Sequence, residues 1–410
     1  VTRARGGARK APSPLLPIFL IVAVDVLGLT IVIPLLPFYA EHFGATPFLV
    51  GCLVTLYAAC QLVAGPLLGR ISDRVGRKPV LLVSQLGTLI GFIVLARAEA
   101  LWVVFLSRII DGVTAGNLSI AQAYIADVSE AKDRTKSFAV IGIAFGLGFL
   151  IGPALSGFLS QYGMSVPIWV AAGLSATSIA ATSWLLPGGK PPRDAEATAE
   201  SGRRLGLLHW GEYARYFRNP ALASFLTRFF LFCLAFSTFN SGFALFAERR
   251  FSWNGVPFGT REVGYVFAYS GFLGLIVQGG LIGRLVKRFG DAKLVALGFV
   301  AAAVGYASLS VAETIPGLLA IAAVCTLGTG VLRPTLTSLV SQNVSRNEQG
   351  TALGLTQSLN SVAQIVGPLV AGALIDRGWL AAWALAAAAS AALGLLLSAR
   401  VPAAARARIA

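Results

Sequence analysis

The sequence predicts an all-α membrane protein of twelve transmembrane helices arranged as two pseudo-symmetric six-helix bundles. Three observations carry this expectation. The 410 residues are 56% hydrophobic and only 12% charged, whereas a soluble domain carries about 25% charged residues; the surplus apolar surface has to face lipid. A charged hairpin occurs twice, as Gly-Arg-Ile-Ser-Asp-Arg-Val-Gly-Arg-Lys-Pro-Val-Leu at 69–81 and Gly-Arg-Leu-Val-Lys-Arg-Phe-Gly-Asp-Ala-Lys-Leu-Val at 283–295, each time between long apolar stretches. The cations are also sided. Of 33 Lys and Arg, 25 fall in segments on one side of the predicted membrane, five (Arg97, Arg249, Arg250, Arg261, Arg377) on the other, and three (Arg108, Arg228, Arg333) within apolar stretches. That asymmetry is the positive-inside pattern and puts both termini in the cytoplasm of a multi-pass inner-membrane protein. The net charge of +15 is then topology plus attraction to anionic membrane lipid, and no nucleic-acid partner is expected.

Stretches of about 20 apolar residues can cross a bilayer. Twelve are found, at roughly 15–40, 48–69, 79–98, 101–127, 136–160, 167–187, 221–248, 262–283, 292–312, 316–342, 350–375 and 379–399. They divide the chain into a basic tail (1–14), a first bundle (15–187), a linker (188–220), a second bundle (221–399) and a second tail (400–410). The first stretch is too long for a signal-peptide core and lacks a cleavage site, so it is expected to remain as a span. The linker begins in Pro- and Gly-rich sequence; its end, 207–218, carries Trp210, Tyr213, Tyr216 and Phe217 among arginines and predicts a short helix on the inner leaflet. The duplication extends beyond the hairpin: Asp133, Gly152-Pro153 and Gly157 match Glu348, Gly367-Pro368 and Gly372 at a constant offset of 215. Parallel six-span halves joined by a central linker are the layout of alternating-access transporters.

Catalytic chemistry finds no foothold. Cys52, Cys60, Cys233 and Cys325 sit inside apolar stretches without disulfide or zinc spacing, and His42 and His209 lie in different loops. No phosphate loop, nucleophile elbow or metal-ligand cluster is present, so neither an enzyme nor a cofactor is expected. Asn117-Leu-Ser119 fits a glycosylation pattern but lies inside a span.

Only two acids lie well inside the spans, Asp25 in span 1 and Asp111 in span 4. A charge there costs several kcal/mol unless paired or hydrated, so these are functional candidates by default. Arg108 and Asp111, at i and i+3, can neutralise one another, either as a proton-responsive pair or as a standing salt bridge. Asp25 has no partner within its own span. A carboxylate in an apolar wall suits a proton carrier, and it is the first candidate for that role. Gln122 shares the Arg108–Asp111 face.

Other polar and aromatic residues mark a candidate substrate cavity. Span 7 places Phe229, Phe232, Phe236, Phe239, Phe243 and Phe246 along one seam, with Asn240 beside it. That seam is either an aromatic wall for flat lipophilic molecules or helix packing. Span 11 aligns Gln357, Asn360 and Gln364 on one face, which should turn inward to line a cavity or bond a neighbour. Tyr57 and Gln61 of span 2 and Arg333 of span 10 complete the set. Arg333 is open to two readings, attracting an anionic group on a substrate or fixing span 10 through carbonyls. Arg228, near an end of span 7, is expected to snorkel.

Four segments resemble the major facilitator superfamily, specifically the twelve-span drug:proton antiporters that include tetracycline efflux pumps. These are Asp25-Val-Leu-Gly28 with Pro34-Leu-Leu-Pro37, the hairpin at 69–81, Arg108-Ile-Ile-Asp-Gly112, and the span 5 antiporter motif Gly148-Phe-Leu-Ile-Gly152-Pro153-Ala-Leu-Ser-Gly157. The resemblance implies that Gly69, Asp73, Arg74, Gly76, Arg77 and Lys78 form a conformational latch between the halves. Its partners would be Asp127 at the end of span 4, with Arg134 nearby, and the start of span 11. Lys287 stands where the second hairpin would need an acid, so that copy should latch more weakly. The resemblance also implies that the small-residue face of span 5 packs against the opposite half. This sequence has Gly91 and Ala302 where the tetracycline pumps carry acids, which argues against tetracycline itself and against a mechanism needing three membrane carboxylates.

The expected function is a proton-coupled secondary active exporter of lipophilic drug-like small molecules, working as a monomer by alternating access. Two alternatives stay open: a symporter or facilitator for a nutrient, lipid or siderophore, and a non-transporting receptor or assembly protein on the same fold.

Overall fold

The structure is a computed structural model and describes residues 15–128, 134–186, 216–344 and 348–399. Within them, twelve helical stretches are long and apolar enough to cross a membrane. Spans 1, 2 and 3 are Leu15–His42, Pro47–Val75 and Arg77–Ala96; spans 5 and 6 are Arg134–Leu159 and Val166–Leu185. Span 7 is Pro220–Arg250 and spans 9 to 12 are Asp291–Leu309, Ile315–Gln342, Gln349–Asp376 and Leu380–Ala399. A two-strand hairpin, Ser252–Trp253 against Val256–Pro257, separates spans 7 and 8. The interfacial helix expected at 207–218 and both tails lie almost wholly outside the described residues.

Polar residues punctuate the apolar helices. Thr46, Asn219 and Thr314 cap spans 2, 7 and 10, each accepting a backbone N–H of the first turn, which also carries a proline. The duplicated hairpins stop their helices by one device. Gly76 (φ 112°) and Gly290 (φ 74°) occupy the same place in the two copies, and both have positive φ, which a residue with a Cβ adopts only under strain.

Two spans depart from the expected continuous helices. Span 4 is Leu101–Val113 followed by Asn117–Val128. At the break, the Ser84 hydroxyl of span 3 donates to the Thr114 carbonyl and accepts the Gly116 N–H at 2.9 Å. A neighbour thus satisfies backbone groups that lipid could not. Span 8 runs from Thr260–Ile276 through a π turn at Val277–Leu281 to Ile282–Phe289.

The two halves repeat one packing scheme. Span 1 packs on spans 5 and 6 as span 7 packs on spans 11 and 12; span 3 packs on spans 4 and 6 as span 9 packs on spans 10 and 12. Across the halves, span 2 meets span 11 and span 5 meets span 8, again related by the pseudo-symmetry.

Among the described residues, these cross-half seams are closed at one end only. At the far face, opposite the termini, Thr55 Oγ1 donates to the Ile365 carbonyl at 2.8 Å. A Cβ on Gly372 would strike the Pro47 carbonyl, and one on Gly264 would strike Pro153 and Gly157. Gly146 of span 5 still meets Leu275 of span 8, but Gly142, one turn nearer the termini face, has nothing within 4 Å. Gly279, Gly280 and Gly283 of span 8 and Gly354 of span 11 are equally open. Among the described residues, the molecule is therefore sealed at the far face and parted at the opposite face, where span 1 begins and span 12 ends.

Candidate functional site

Asp25 enters the first bundle from the middle of span 1 and is half-buried. Gln85 of span 3, Asn117 of span 4 and Ser178 of span 6 are its hydrogen-bonding neighbours, and Asp111 is the acid nearest to it. The cradle is itself braced: Gln85 Nε2 donates to Ser178 Oγ at 2.7 Å, both residues being buried. Asn117 reaches the carboxylate because span 4 breaks just before it. Asp25 therefore faces neither the acyl chains nor a permanent cation, and among the described residues it forms no ion pair.

Asp111 is differently placed. Its Oδ2 lies 3.5 Å from Arg108 Nη1, with both side chains about 95% buried at 4% and 5% exposure. Thr88 adds a hydrogen bond to the carboxylate, and the Arg108 guanidinium stands 6.0 Å over the Tyr57 ring. Gly91 is small because Asp111 fills its space: a Cβ there would lie 3.0 Å from Asp111 Cβ. Three buried polar atoms around these acids, Gln85 Oε1, Asn117 Oδ1 and Arg108 Nη2, have no protein partner among the described residues. Such a cluster calls for a bound water or ligand group.

Of the expected cavity residues, Gln357 is exposed and Asn360 and Gln364 half-buried. None of their amides bonds a protein group among the described residues, so water must satisfy them, which fits a cavity wall. Gln122 and Arg333 are exposed; Tyr57, Gln61, Phe236 and Asn240 are half-buried, with Gln61 Nε2 3.4 Å from the Tyr57 hydroxyl. Phe243 does not belong to that wall. It is 1% exposed, edge-on to Phe267 with centroids 5.2 Å apart, and borders a narrow space of about 10 Å³. Phe229, Phe232 and Phe246 are likewise buried, so most of the span 7 aromatic seam is packing. Arg228 does not snorkel either: it is 3% exposed and donates to Ser224 Oγ at 2.7 Å and to the Leu397 carbonyl of span 12 at 3.0 Å. The Ser224 hydroxyl and the Leu397 carbonyl hold it inward, with the guanidinium 5.3 Å over the Phe225 ring.

The hairpin at 69–81 is organised around Arg77. Its Nε donates to Asp127 Oδ2 at 2.8 Å, its Nη1 bonds Ser72 Oγ at 2.7 Å, and Asp73 pairs with it from the preceding turn. Lys78 donates to the carbonyls of Ser183 and Leu186 at the end of span 6, both at 2.8 Å. Among the described residues, Arg77 and Lys78 bond only within the first six spans, as suits a molecule whose halves are parted at this face. Gly69 contributes its carbonyl to Ser72 Oγ at 2.7 Å, and Arg74 is exposed. The side chain of Arg134 lies outside the described residues. Span 5 divides its expected role. Gly148 and Gly152 face Val26 and Thr30 of span 1 in the same half, with Thr30 Oγ1 donating to the Gly148 carbonyl at 2.8 Å. Phe149, Leu150, Pro153 and Gly157 of the motif meet span 8 of the other half, at Gly271, Gly264 and Arg261.

A charged contact at the far face was not foreseen. Arg249, at the end of span 7, donates to Glu41 of span 1 at 2.6 Å and to its neighbour Glu248 at 2.9 Å, bridging the halves. Sequence alone made Arg249 a topological charge; the matching acids at the ends of spans 1 and 7 were the available signal. Gln85 and Ser178 were legible as polar residues inside spans, and Asn117 was set aside with its glycosylation pattern.

Residues 18–362 and 279–409 match the family model described as Major Facilitator Superfamily. The chain belongs to the major facilitator superfamily. Its relatives within that superfamily include the tetracycline resistance protein, class E, of Escherichia coli, 31% identical over 353 residues, 85% of each chain. Multidrug resistance protein 2 of Bacillus subtilis (strain 168) is 25% identical over 358 residues, 87% of each. Among solved structures, the nucleoside transporter NupG superposes with a TM-score of 0.74 at 16% identity, covering 95% of this chain and 100% of that one. The human organic anion transporter MFSD10 (TETRAN) gives 0.70 at 23% identity over 95% and 100%. These structures share the major facilitator fold with this chain. It is a multi-pass membrane transporter of a family that contains drug-resistance pumps, and not an enzyme.

Proposed function

We propose that this protein is a proton-coupled exporter of lipophilic drug-like small molecules in the plasma (inner) membrane, with the termini face cytoplasmic. Asp25 carries the reading. Of the two carboxylates well inside the spans, Asp111 is neutralised by Arg108, whereas Asp25 has only neutral hydrogen-bonding neighbours. A carboxylate so held can lose and regain a proton without breaking an ion pair. Gly91 supports the same economy of acids: the space over it is filled by the Asp111 side chain, so span 4 supplies a carboxylate where the tetracycline pumps have one on span 3.

The open termini face is the substrate-loading state. Substrate enters from the cytoplasm or inner leaflet while Asp25 is ionised; the halves then rock about the midplane, and a proton taken from outside displaces it. The membrane potential supplies about 2.3 kcal/mol per charge per 100 mV, and a pH gradient adds to that. Parting of the far-face seams and closure of Gly142 against the open glycines of span 8 would complete the exchange.

The test is reconstitution into liposomes with an imposed pH gradient and a panel of lipophilic dyes and antibiotics. Wild type is expected to move substrate against proton flow, and Asp25→Asn to lose gradient-driven export while folding normally. Retained coupling in that variant removes Asp25 from the mechanism, and accumulation with the gradient turns the reading into symport.

A further inference from the structure

Among the described residues, one membrane-embedded cation has no partner in the fold. Arg333 lies nine residues before the end of span 10 at Gln342, about 13 Å inside the termini face. The lipid-facing stripe of that helix is the exposed apolar set Ala320, Val324 and Leu327. At about 100° per residue, Arg333 lies roughly 150° round the helix from the stripe. It shares its face with Ala322, which is 6% exposed against the narrow space beside Phe243, and with Thr326, which meets Gly274 of span 8. That face is buried at the far end and exposed at Arg333, because the spans have parted there. The guanidinium therefore opens on the internal cavity and not on lipid.

The other two embedded arginines are occupied. Arg108 is paired with Asp111, and Arg228 is bound to Ser224 and the Leu397 carbonyl. Arg333 has no ion pair and no side-chain hydrogen bond among the described residues, and its electrostatic neighbour on span 7 is the thiol of Cys233. The alternative role, fixing span 10 through carbonyls, is thus unfilled. A fixed positive charge between low-dielectric walls draws anions into a cleft. The planar fork of arginine matches a carboxylate with two parallel hydrogen bonds.

We infer that Arg333 is the docking point for an acidic group, so that the compounds this protein carries bear a carboxylate or a comparably acidic oxygen on an otherwise lipophilic frame. The inference rests on the exporter reading and names its substrate class. It narrows the expectation of lipophilic drug-like molecules to those having an anionic pole.

The test compares a xanthene dye bearing a free benzoic acid with its methyl ester, in proteoliposomes under a pH gradient and in equilibrium binding to purified protein. Wild type should prefer the acid. In Arg333→Gln the acid-to-ester ratio should fall by about tenfold, and Arg333→Lys, which keeps the charge but loses the fork, should fall between. Elution profile and thermal unfolding report whether each variant is folded, and if Arg333→Gln is not, the Arg333→Lys ratio decides. A wild type indifferent to the ester, or variants with the wild-type ratio, overturns the inference while leaving export intact. If wild type moves neither dye with the gradient, the exporter reading fails, and the binding ratio still judges Arg333.

Discussion

Cutting the bridge between Arg249 and Glu41 should loosen the far-face seal. The two side chains are 31% and 18% exposed and meet at 2.6 Å, joining the ends of spans 7 and 1 across the halves. A fully exposed pair is worth about 0.2–1 kcal/mol, and a hydrogen bond to a charged group in a drier site about 1.5–3. Partial exposure and salt screening place this contact near 1 kcal/mol, a shift of roughly fivefold in the equilibrium between far-face-closed and far-face-open forms. Spin labels at Glu99 and Trp379, exposed residues of the far-face loops in opposite halves, would read that equilibrium as two distance populations. Arg249→Gln and Glu41→Gln should each raise the open fraction by that factor, and high salt should shrink the difference. Glu248→Gln should not raise the open fraction, because Glu248 also faces Glu41 across the halves and its like charge there opposes the seam. Unchanged distance populations in both single variants would refute the bridge as a gate. So would an equal rise in the open fraction from Glu248→Gln.

Three further outcomes follow from the same geometry. Asp111→Asn leaves the Arg108 charge buried and unpaired, costing about 3–5 kcal/mol, so its thermal unfolding should drop sharply; an apolar replacement of both residues should recover most of the stability but not the transport. Gly264→Leu sets a side chain against the Pro153 carbonyl and Gly157, so spin-label distances should show the far face held open, and a wild-type distribution would show that the seam tolerates bulk. Gly152→Leu collides with Thr30 inside one half; overpacking of this kind costs about 1–3 kcal/mol, so it should lower the unfolding temperature without biasing the two faces.

Arg333, Arg228 and Phe243 show what could and could not be read along the chain. All three are residues of a helix whose membrane span was evident; Phe243 and Arg333 had two readings each, and Arg228 was expected to snorkel. Helical periodicity places a residue on a face but does not say what stands opposite. Arg228 meets a carbonyl from span 12, Phe243 meets Phe267, and Arg333 meets open space. Those neighbours come from distant parts of the sequence. The break in span 4 was hidden for a related reason: Thr114, Ala115 and Gly116 are compatible with helix locally, and it is Ser84 that makes the interruption tolerable.

Composition, hydropathy and the repeated hairpin determined the twelve spans, the twofold plan and the family, because a bilayer leaves a polypeptide few ways to satisfy its backbone and the residue pattern must declare them. Charge placement singled out Asp25 and the Arg108–Asp111 pair for the same reason: a charge inside the membrane is too costly to be incidental. Only the tertiary structure decided which acid is neutralised, what cradles the other, which face is sealed, and where Glu41 finds Arg249. Those outcomes depend on contacts between residues as far apart in sequence as Glu41 and Arg249, and local sequence exerts no force over that separation until the helices have packed.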